Sequence, residues 1–133
     1  MTNIKKYLLL ASCAVIFFII GIKSGWYLER LSAVNDRVYA SVLAEDGRYE
    51  QALSFAYSSV KYDSSLSLEL IGDIYFCMGK NETAVINYRL VLEQLLENLL
   101  QTGKGKGHIA FIEQKLAFIT FESDDDRFEP KCN

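Results

Sequence analysis

The sequence has little of three residue types that mark particular chemistries: proline, histidine and cysteine. Its 133 residues include one proline, one histidine and three cysteines. The proline, Pro130, lies outside every periodic apolar segment, so no proline interrupts a helix in the middle of the chain. Cys13, Cys77 and Cys132 are widely spaced and match neither a zinc-binding pattern nor a disulfide framework. We therefore expect buried or idle thiols.

The chain also lacks an excess of basic residues. Lysine and arginine number 14 against 17 aspartates and glutamates, a net charge of −3, which gives no electrostatic case for binding nucleic acid. No nucleophile, general base and orienting group can be placed together from the sequence, which argues against catalysis. We predict a protein that is not an enzyme and has no cofactor and no metal site.

Three short motifs match ligand or modification sites incompletely. In the segment 103–107 no hydroxyl residue follows Lys106, as a phosphate-binding loop would require, so we predict a flexible basic linker. The run Asp124–Asp126 lacks the glycine and the distal glutamate of a calcium loop, and residues 123–133 are predicted to be a solvated acidic tail. Asn81-Glu82-Thr83 is a formal glycosylation acceptor, but a helix cap explains the asparagine more simply.

The sequence does contain a long apolar run near its amino terminus. Residues 7–22 are YLLLASCAVIFFIIGI, without a charge. This core is short for crossing a membrane, which takes about 20 residues for ~30 Å of hydrocarbon. Snorkelling by Lys23 and an aromatic belt of Trp26 and Tyr27 extend the usable helix. We predict a short basic leader at residues 1–6 and one transmembrane anchor at residues 7–28.

Two other interpretations of this run are open. A cleaved signal peptide is less favoured, because residues 22–26 offer no pair of small side chains at the spacing that cleavage needs. A bacterial lipoprotein is also less favoured. Leu10–Cys13 resembles a lipobox, but little apolar sequence precedes Cys13 and the apolar run continues after it. An uncleaved anchor explains the run better than either alternative.

The orientation follows from the basic residues that flank the predicted span. Lys5, Lys6 and the amino terminus precede it, whereas the basic residues that follow it are diluted by acidic ones. This pattern favours an amino terminus in the cytoplasm. The body of the protein is then predicted on the non-cytoplasmic side, which is the periplasm in a bacterium.

After the anchor, one short pattern occurs twice. Gly47–Leu53 is GRYEQAL, and Gly79–Val85 is GKNETAV, 32 residues later. Each glycine ends a periodic apolar run, where a left-handed residue closes a helix. Ala52 and Ala84 then lie in the following helix, where a small side chain lets two helices approach closely. A helix, a turn and a second helix repeated at this period are typical of helical repeats.

Apolar periodicity predicts the helices around these turns. The first helix ends near Asp46 and either continues from the membrane span or starts at a cap at Ser32 or Asn35. Three more helices are predicted at residues 48–62, from Leu66 to Met78 and from Asn81 through Leu100. A last helix, from His108 to Phe121, is predicted to cover the apolar end of the one before it.

These residues resemble the tetratricopeptide repeat (TPR) family, whose units are helix-turn-helix pairs of about 34 residues. The resemblance covers roughly residues 33–96. The matching residues are Ala40, Gly47, Tyr49 and Ala52 in the first unit and Ile71, Gly72, Tyr75, Gly79, Ala84 and Tyr88 in the second. Neither unit ends with the proline of the family, and the spacing is about two residues shorter than the family's.

Together with the predicted anchor and the last helix, the resemblance gives an all-α fold: an amino-terminal transmembrane helix, two degenerate TPR-like helical hairpins and a carboxyl-terminal capping helix. The helical domain would span residues 29–122. Such repeats bind extended peptides or partner helices on the face lined by the first helix of each unit. Carried over by register, the resemblance implies partner contacts at Arg37, Ser41, Leu66, Glu69, Asp73 and Phe76.

The function implied is that of a membrane-anchored adaptor or scaffold for a protein partner, or of a small subunit in a membrane complex. The apolar end of the helix at residues 92–100 is a second expected contact surface. The alternative is a small membrane-anchored inhibitory or immunity-type protein that blocks one target, with the acidic groove and tail as its active surface.

Overall fold

The structure is a computed structural model that describes residues 2–120 and 130–132, without the side chains of residues 2–14 and Phe17. Every regular element in these ranges is a helix, which confirms the all-α prediction. The helices are α1 (Thr2–Glu45), α2 (Tyr49–Ser59), α3 (Ser64–Cys77), α4 (Asn81–Thr102) and α5 (Lys106–Ile119). No helix starts at Ser32 or Asn35, because α1 includes both.

The chain divides into two compact units, residues 1–32 and 33–133. The first unit contains the predicted anchor at residues 7–28. Among the residues that the structure describes, no helix combines the length and the apolar character needed to cross a membrane. The side chains of residues 7–14, half of the apolar run, lie outside the described ones. The anchor therefore stays a prediction.

The two predicted glycine turns of the second unit are built in the same way. Gly47 and Gly79 have φ angles of +73° and +72°. In the first turn the Gly47 amide donates to the Ala44 carbonyl, and the Arg48 amide donates to the Leu43 carbonyl. The same two bonds recur 32 residues later in the second turn. This pattern satisfies the last carbonyls of a helix and favours glycine at the left-handed position, which confirms the predicted turns.

The helix starts differ from the sequence-based expectation. Lys80 rather than Asn81 is the N-cap residue of α4, and no side chain makes a capping hydrogen bond there. The predicted capping role of Asn81 is therefore wrong. Asp63 is at the N-cap of α3 but makes no side-chain cap either. Its carboxylate instead accepts a hydrogen bond from Arg37 of α1.

Two clusters of buried side chains hold the helices of the second unit together. The first joins α1, α2 and α3 through Ala40, Ala52, Leu53, Ala56, Ile71 and Ile74. The second joins α4 and α5 through Ala84, Tyr88, Val91, Leu95, Ile109, Ile112 and Ile119. Leu68 and Tyr75 of α3 pack against both clusters. Helix α3 therefore connects the two halves of the core.

Gly72 of α3 lies close to the ring of Tyr88 of α4. A Cβ atom added at this residue would lie 2.9 Å from Cε1 of Tyr88. Tyr88 is fully buried, and its hydroxyl donates a hydrogen bond to Asp73. The ring therefore has no room to move aside in a densely packed interior. Packing rather than backbone conformation requires glycine here.

We expect Gly72→Ala to destabilise the protein by about 1–3 kcal/mol, the usual cost of overpacking a core. This exceeds the gain of roughly 0.5–1 kcal/mol that alanine brings to a helix interior. Urea unfolding measures the difference. Gly107→Ala is the matched control, because Gly107 lies in α5 with open space around its Cβ position. If Gly72→Ala were as stable as this control, the close approach would be contradicted.

Candidate functional site

Two adjoining cavities form a groove beside α3. The first, which we call the α1–α3 end, has a volume of about 350 Å³ and is lined by Arg37, Val38, Ser41, Leu66, Glu69, Leu70 and Asp73. The second, of about 280 Å³, lies between residues of α1, α3 and α5 and is bounded by Pro130 and Lys131. We call it the Pro130 end. The two cavities share Ser41, Leu70 and Asp73 and therefore form one continuous groove.

Five of the six residues expected to contact a partner line the α1–α3 end: Arg37, Ser41, Leu66, Glu69 and Asp73. The sixth, Phe76, lines neither cavity. It packs against the cluster of α4 and α5, with its ring centroid 6.2 Å from that of Phe118. The structure thus brings five of these residues together and turns Phe76 toward α5.

Lys115 of α5 lies beside the groove in an almost closed environment. Its side chain is 6% exposed. Its Nζ donates hydrogen bonds to Oε1 of Glu69 at 2.8 Å and to Oδ1 and Oδ2 of Asp73 at 2.7 and 3.0 Å. The rings of Tyr88 and Phe111 cover the cation, with centroids 5.4 and 5.1 Å from Nζ. The ammonium group is fully engaged by two carboxylates and two aromatic rings.

Two further side chains complete this network. Nε2 of His108 lies 2.8 Å from Oε2 of Glu69, and the hydroxyl of Tyr88 donates to Oδ1 of Asp73. The network therefore joins α3, α4 and α5. Sequence reasoning missed it, because its members are up to 46 residues apart. The available signal was Lys115 itself, a lysine among the regularly spaced apolar residues of α5.

Burial and ion pairing oppose each other at the two carboxyl groups. At Glu69 burial favours the neutral form, but Lys115 and His108 outweigh it and hold the pKa below its ordinary value. At Asp73 burial, reinforced by the charge of Glu69, outweighs Lys115 and Tyr88, so the pKa is raised. Burial, followed by the charge of Asp73, raises the pKa of Tyr88, which therefore stays a neutral hydroxyl donor.

The described groove residues are balanced in charge. The basic residues of the groove are Arg37, Lys115 and Lys131, and its acidic residues are Glu45, Glu69 and Asp73. Arg37 also forms an ion pair with Asp63, outside the groove. Within the described residues, no group of three or more histidines, cysteines, aspartates or glutamates is placed to hold a metal ion. The two central carboxylates are thus engaged by Lys115 rather than displayed as an acidic surface.

A disulfide joins Cys77, near the end of α3, to Cys132, with their Cα atoms 5.3 Å apart. The expectation of idle thiols is wrong for this pair. The two cysteines are 55 residues apart, so no local pattern reveals their pairing. The bond holds residues 130–132 against α3, and Pro130 is buried there. The remaining predicted acidic tail, residues 123–129 and Asn133, and the side chain of Cys13 lie outside the described residues.

Comparison of the chain with protein-family models, with curated proteins and with solved structures gives no match. The groove and the residues around it therefore carry the functional inference.

We expect Lys115→Met to destabilise the protein, because the buried carboxyl groups of Glu69 and Asp73 would lose their counter-ion and their hydrogen-bond donor. Removing one partner of a buried ion pair costs about 3–5 kcal/mol. We expect the lower end of this range in urea unfolding at about pH 7, since the side chain of Asp73 is 27% exposed. Lys106→Met, at an exposed position of the same helix, is the control and should change stability by less than about 0.5 kcal/mol. Equal stability of the two variants would rule out a structural role for the buried cation.

We expect the stability difference between wild type and Glu69→Gln to depend on pH. Because the folded pKa of Glu69 is below its ordinary value of 4.5, its charge stabilises the folded state above pH 4.5. This contribution is lost as the pH falls through the folded pKa. Urea unfolding should therefore show a difference at about pH 7 that shrinks below pH 4.5. Glu113→Gln, at an exposed position of α5, controls for removing a carboxylate, and a difference unchanged down to about pH 3 would contradict the ion pair.

Proposed function

We propose that the protein is a non-enzymatic, membrane-anchored, TPR-like adaptor that binds a protein partner in the groove. It acts as a scaffold for this partner or as a small subunit of a membrane complex. The observation that carries the proposal is the α1–α3 end of the groove. There, five residues chosen by register as partner contacts line one cavity of about 350 Å³.

The repeated turn supports the TPR-like part of the proposal. Gly47 and Gly79 have the same left-handed backbone and the same pair of hydrogen bonds. Ala52 and Ala84, which follow these turns at the same distance, are both fully buried. The packing of α5 against α4 suits a capping helix, because its isoleucines join the buried cluster of α4.

Exposed apolar side chains support the membrane anchor. Between residues 15 and 28, the described large apolar side chains of α1 are 48% to 70% exposed. They are Val15, Ile16, Phe18, Ile19, Ile20, Ile22, Trp26, Tyr27 and Leu28. Soluble monomeric proteins rarely expose an apolar patch of this extent, and contact with lipid would cover it. The Cys77–Cys132 disulfide supports the non-cytoplasmic side for residues 33–133, since such bonds persist in oxidising compartments.

The charge balance of the groove favours an apolar contact with the partner over an electrostatic one. Lys115 engages both Glu69 and Asp73, whereas Val38, Leu66 and Leu70 supply apolar surface to the α1–α3 end. We infer a partner peptide or helix that presents apolar side chains here. An inhibitory or immunity-type protein would instead need acidic side chains that are available to its target.

We expect Val38→Asp to abolish copurification of the partner, because a carboxylate would be buried against apolar surface on binding. Ile86→Asp is a matched control. Val38 and Ile86 are 55% and 58% exposed, but Ile86 lies on α4 and lines neither groove cavity. The tagged full-length chain is crosslinked in intact membranes, and the captured proteins are identified by mass spectrometry. A partner retained by wild type and Ile86→Asp but lost with Val38→Asp is the expected result, and identical captures from all three would refute binding in the groove.

The same capture in rising salt separates the adaptor from the inhibitory alternative. Interactions between exposed charges weaken as the Debye length falls from about 10 Å at 0.1 M to 3 Å at 1 M salt. We expect the captured partner to remain bound across this range. Release of the partner by salt would favour the inhibitory protein.

A further inference from the structure

The carboxyl-terminal residues of the chain form one wall of the groove. Pro130 and Lys131 line the Pro130 end together with Ala44 of α1, Ile74 of α3 and Lys115 of α5. Pro130 is buried. Residues 130–132, which we call the strap, are fastened to α3 by the Cys77–Cys132 disulfide. The strap therefore closes one side of the Pro130 end and limits how far a partner segment can extend along the groove.

The disulfide accounts for the position of the strap better than its noncovalent contacts do. Ordering a short backbone segment costs conformational entropy at every residue. The burial of one proline side chain offsets this cost only by the free energy gained when the apolar surface of that ring leaves water. Among the described residues of the strap, three ordered residues against one buried side chain make an unfavourable balance without a covalent tether. Breaking the disulfide should release the strap.

The disulfide is accessible to a reductant. Cys132 is exposed and Cys77 is half-buried. A thiolate has to reach one of the sulfur atoms to begin exchange, and the exposed side of Cys132 allows this approach. A bond shielded inside the core clusters would not offer such access.

We propose that the strap is a removable end wall of the groove, opened when a dithiol reduces the Cys77–Cys132 disulfide. Two electrons and two protons convert the S–S bond into two thiols, and the dithiol is oxidised to its own disulfide. In the oxidised protein a partner segment ends at the strap, whereas the reduced protein accepts a longer segment that continues past Ala44 and Ile74 into the space that the strap leaves. The part of this inference that concerns partner length rests on the proposed function, but the movement of the strap does not.

The movement of the strap is tested on the full-length chain without any partner. Alanine and isoleucine methyl groups are labelled for NMR, and their relaxation by a soluble gadolinium chelate reports access of solvent. Ala44 and Ile74 report on the Pro130 end, whereas Ala84 and Ile112, in the cluster of α4 and α5, are reference residues of the same types. The oxidised protein is compared with protein reduced by dithiothreitol and with the Cys77→Ser/Cys132→Ser double variant.

We expect Ala44 and Ile74 to lose protection from the chelate after reduction and in the double variant, while Ala84 and Ile112 keep theirs. Dithiothreitol should change nothing further in the double variant. Unchanged protection of Ala44 and Ile74 after complete reduction would overturn the strap. A simultaneous loss at Ala84 and Ile112 would also overturn it, because the disulfide would then stabilise the whole fold rather than close one end of the groove.

The length of the partner segment is tested with a benzophenone photocrosslinker placed at Val38 or at Glu45. Val38 lines the α1–α3 end and Glu45 the Pro130 end. We expect crosslinks to the partner at Val38 to the same extent in both redox states, and more crosslinking at Glu45 after reduction than before it. Equal crosslinking at Glu45 in both states would overturn gating by the strap. The absence of crosslinks at both positions in both states would overturn the proposed function, while the methyl measurements would still decide whether the strap moves.

Discussion

The arrangement of α3, α4 and α5 depends on one interaction, the pairing of the Lys115 ammonium group with the carboxylates of Glu69 and Asp73. A lysine can point into this interior because two carboxylates receive its hydrogen bonds. The carboxylates are tolerated there because the lysine offsets their charge. Tyr88 of α4 joins the same network through Asp73, and its ring fills the space left by Gly72. Each group is acceptable in its position because the others are present.

This network also determines the chemistry of the groove. Glu69 and Asp73 line the α1–α3 end, but both carboxylates are engaged in ion pairs with the buried Lys115. Taken from the sequence alone, these two carboxylates and Arg37 among the candidate contacts indicate a charged binding surface. The folded chain instead offers the side chains of Leu66 and Leu70, with charges that balance around them. The apolar partner segment proposed above is consistent with such a lining.

The features that the sequence predicts well depend on residues close together in the chain. The turns at Gly47 and Gly79 and the apolar faces of the helices are set by bonds and contacts within a few residues. The Lys115 network and the Cys77–Cys132 disulfide form when distant segments of the chain fold onto α3. No local periodicity in the sequence predicts such contacts. The register of a repeat likewise assigns Phe76 to the groove, because it takes no account of where α5 will lie. Contact with Phe118 then draws the ring into the core.

Helix α3 fixes the groove through two attachments of different kinds. Along one flank Glu69 and Asp73 hold α5 by charge, and near the carboxyl end Cys77 holds the strap by a covalent bond. Ile74 lies between these attachments, and both Leu70 and Ile74 line the Pro130 end. A domain of this size buries a limited apolar core, so individual attachments make up a large share of its net stability. The first attachment weakens when Glu69 is protonated, and the second is lost when the disulfide is reduced. The shape of the groove is therefore coupled to the surroundings of the protein through α3, whereas the glycine turns, which depend on backbone bonds alone, are independent of both conditions.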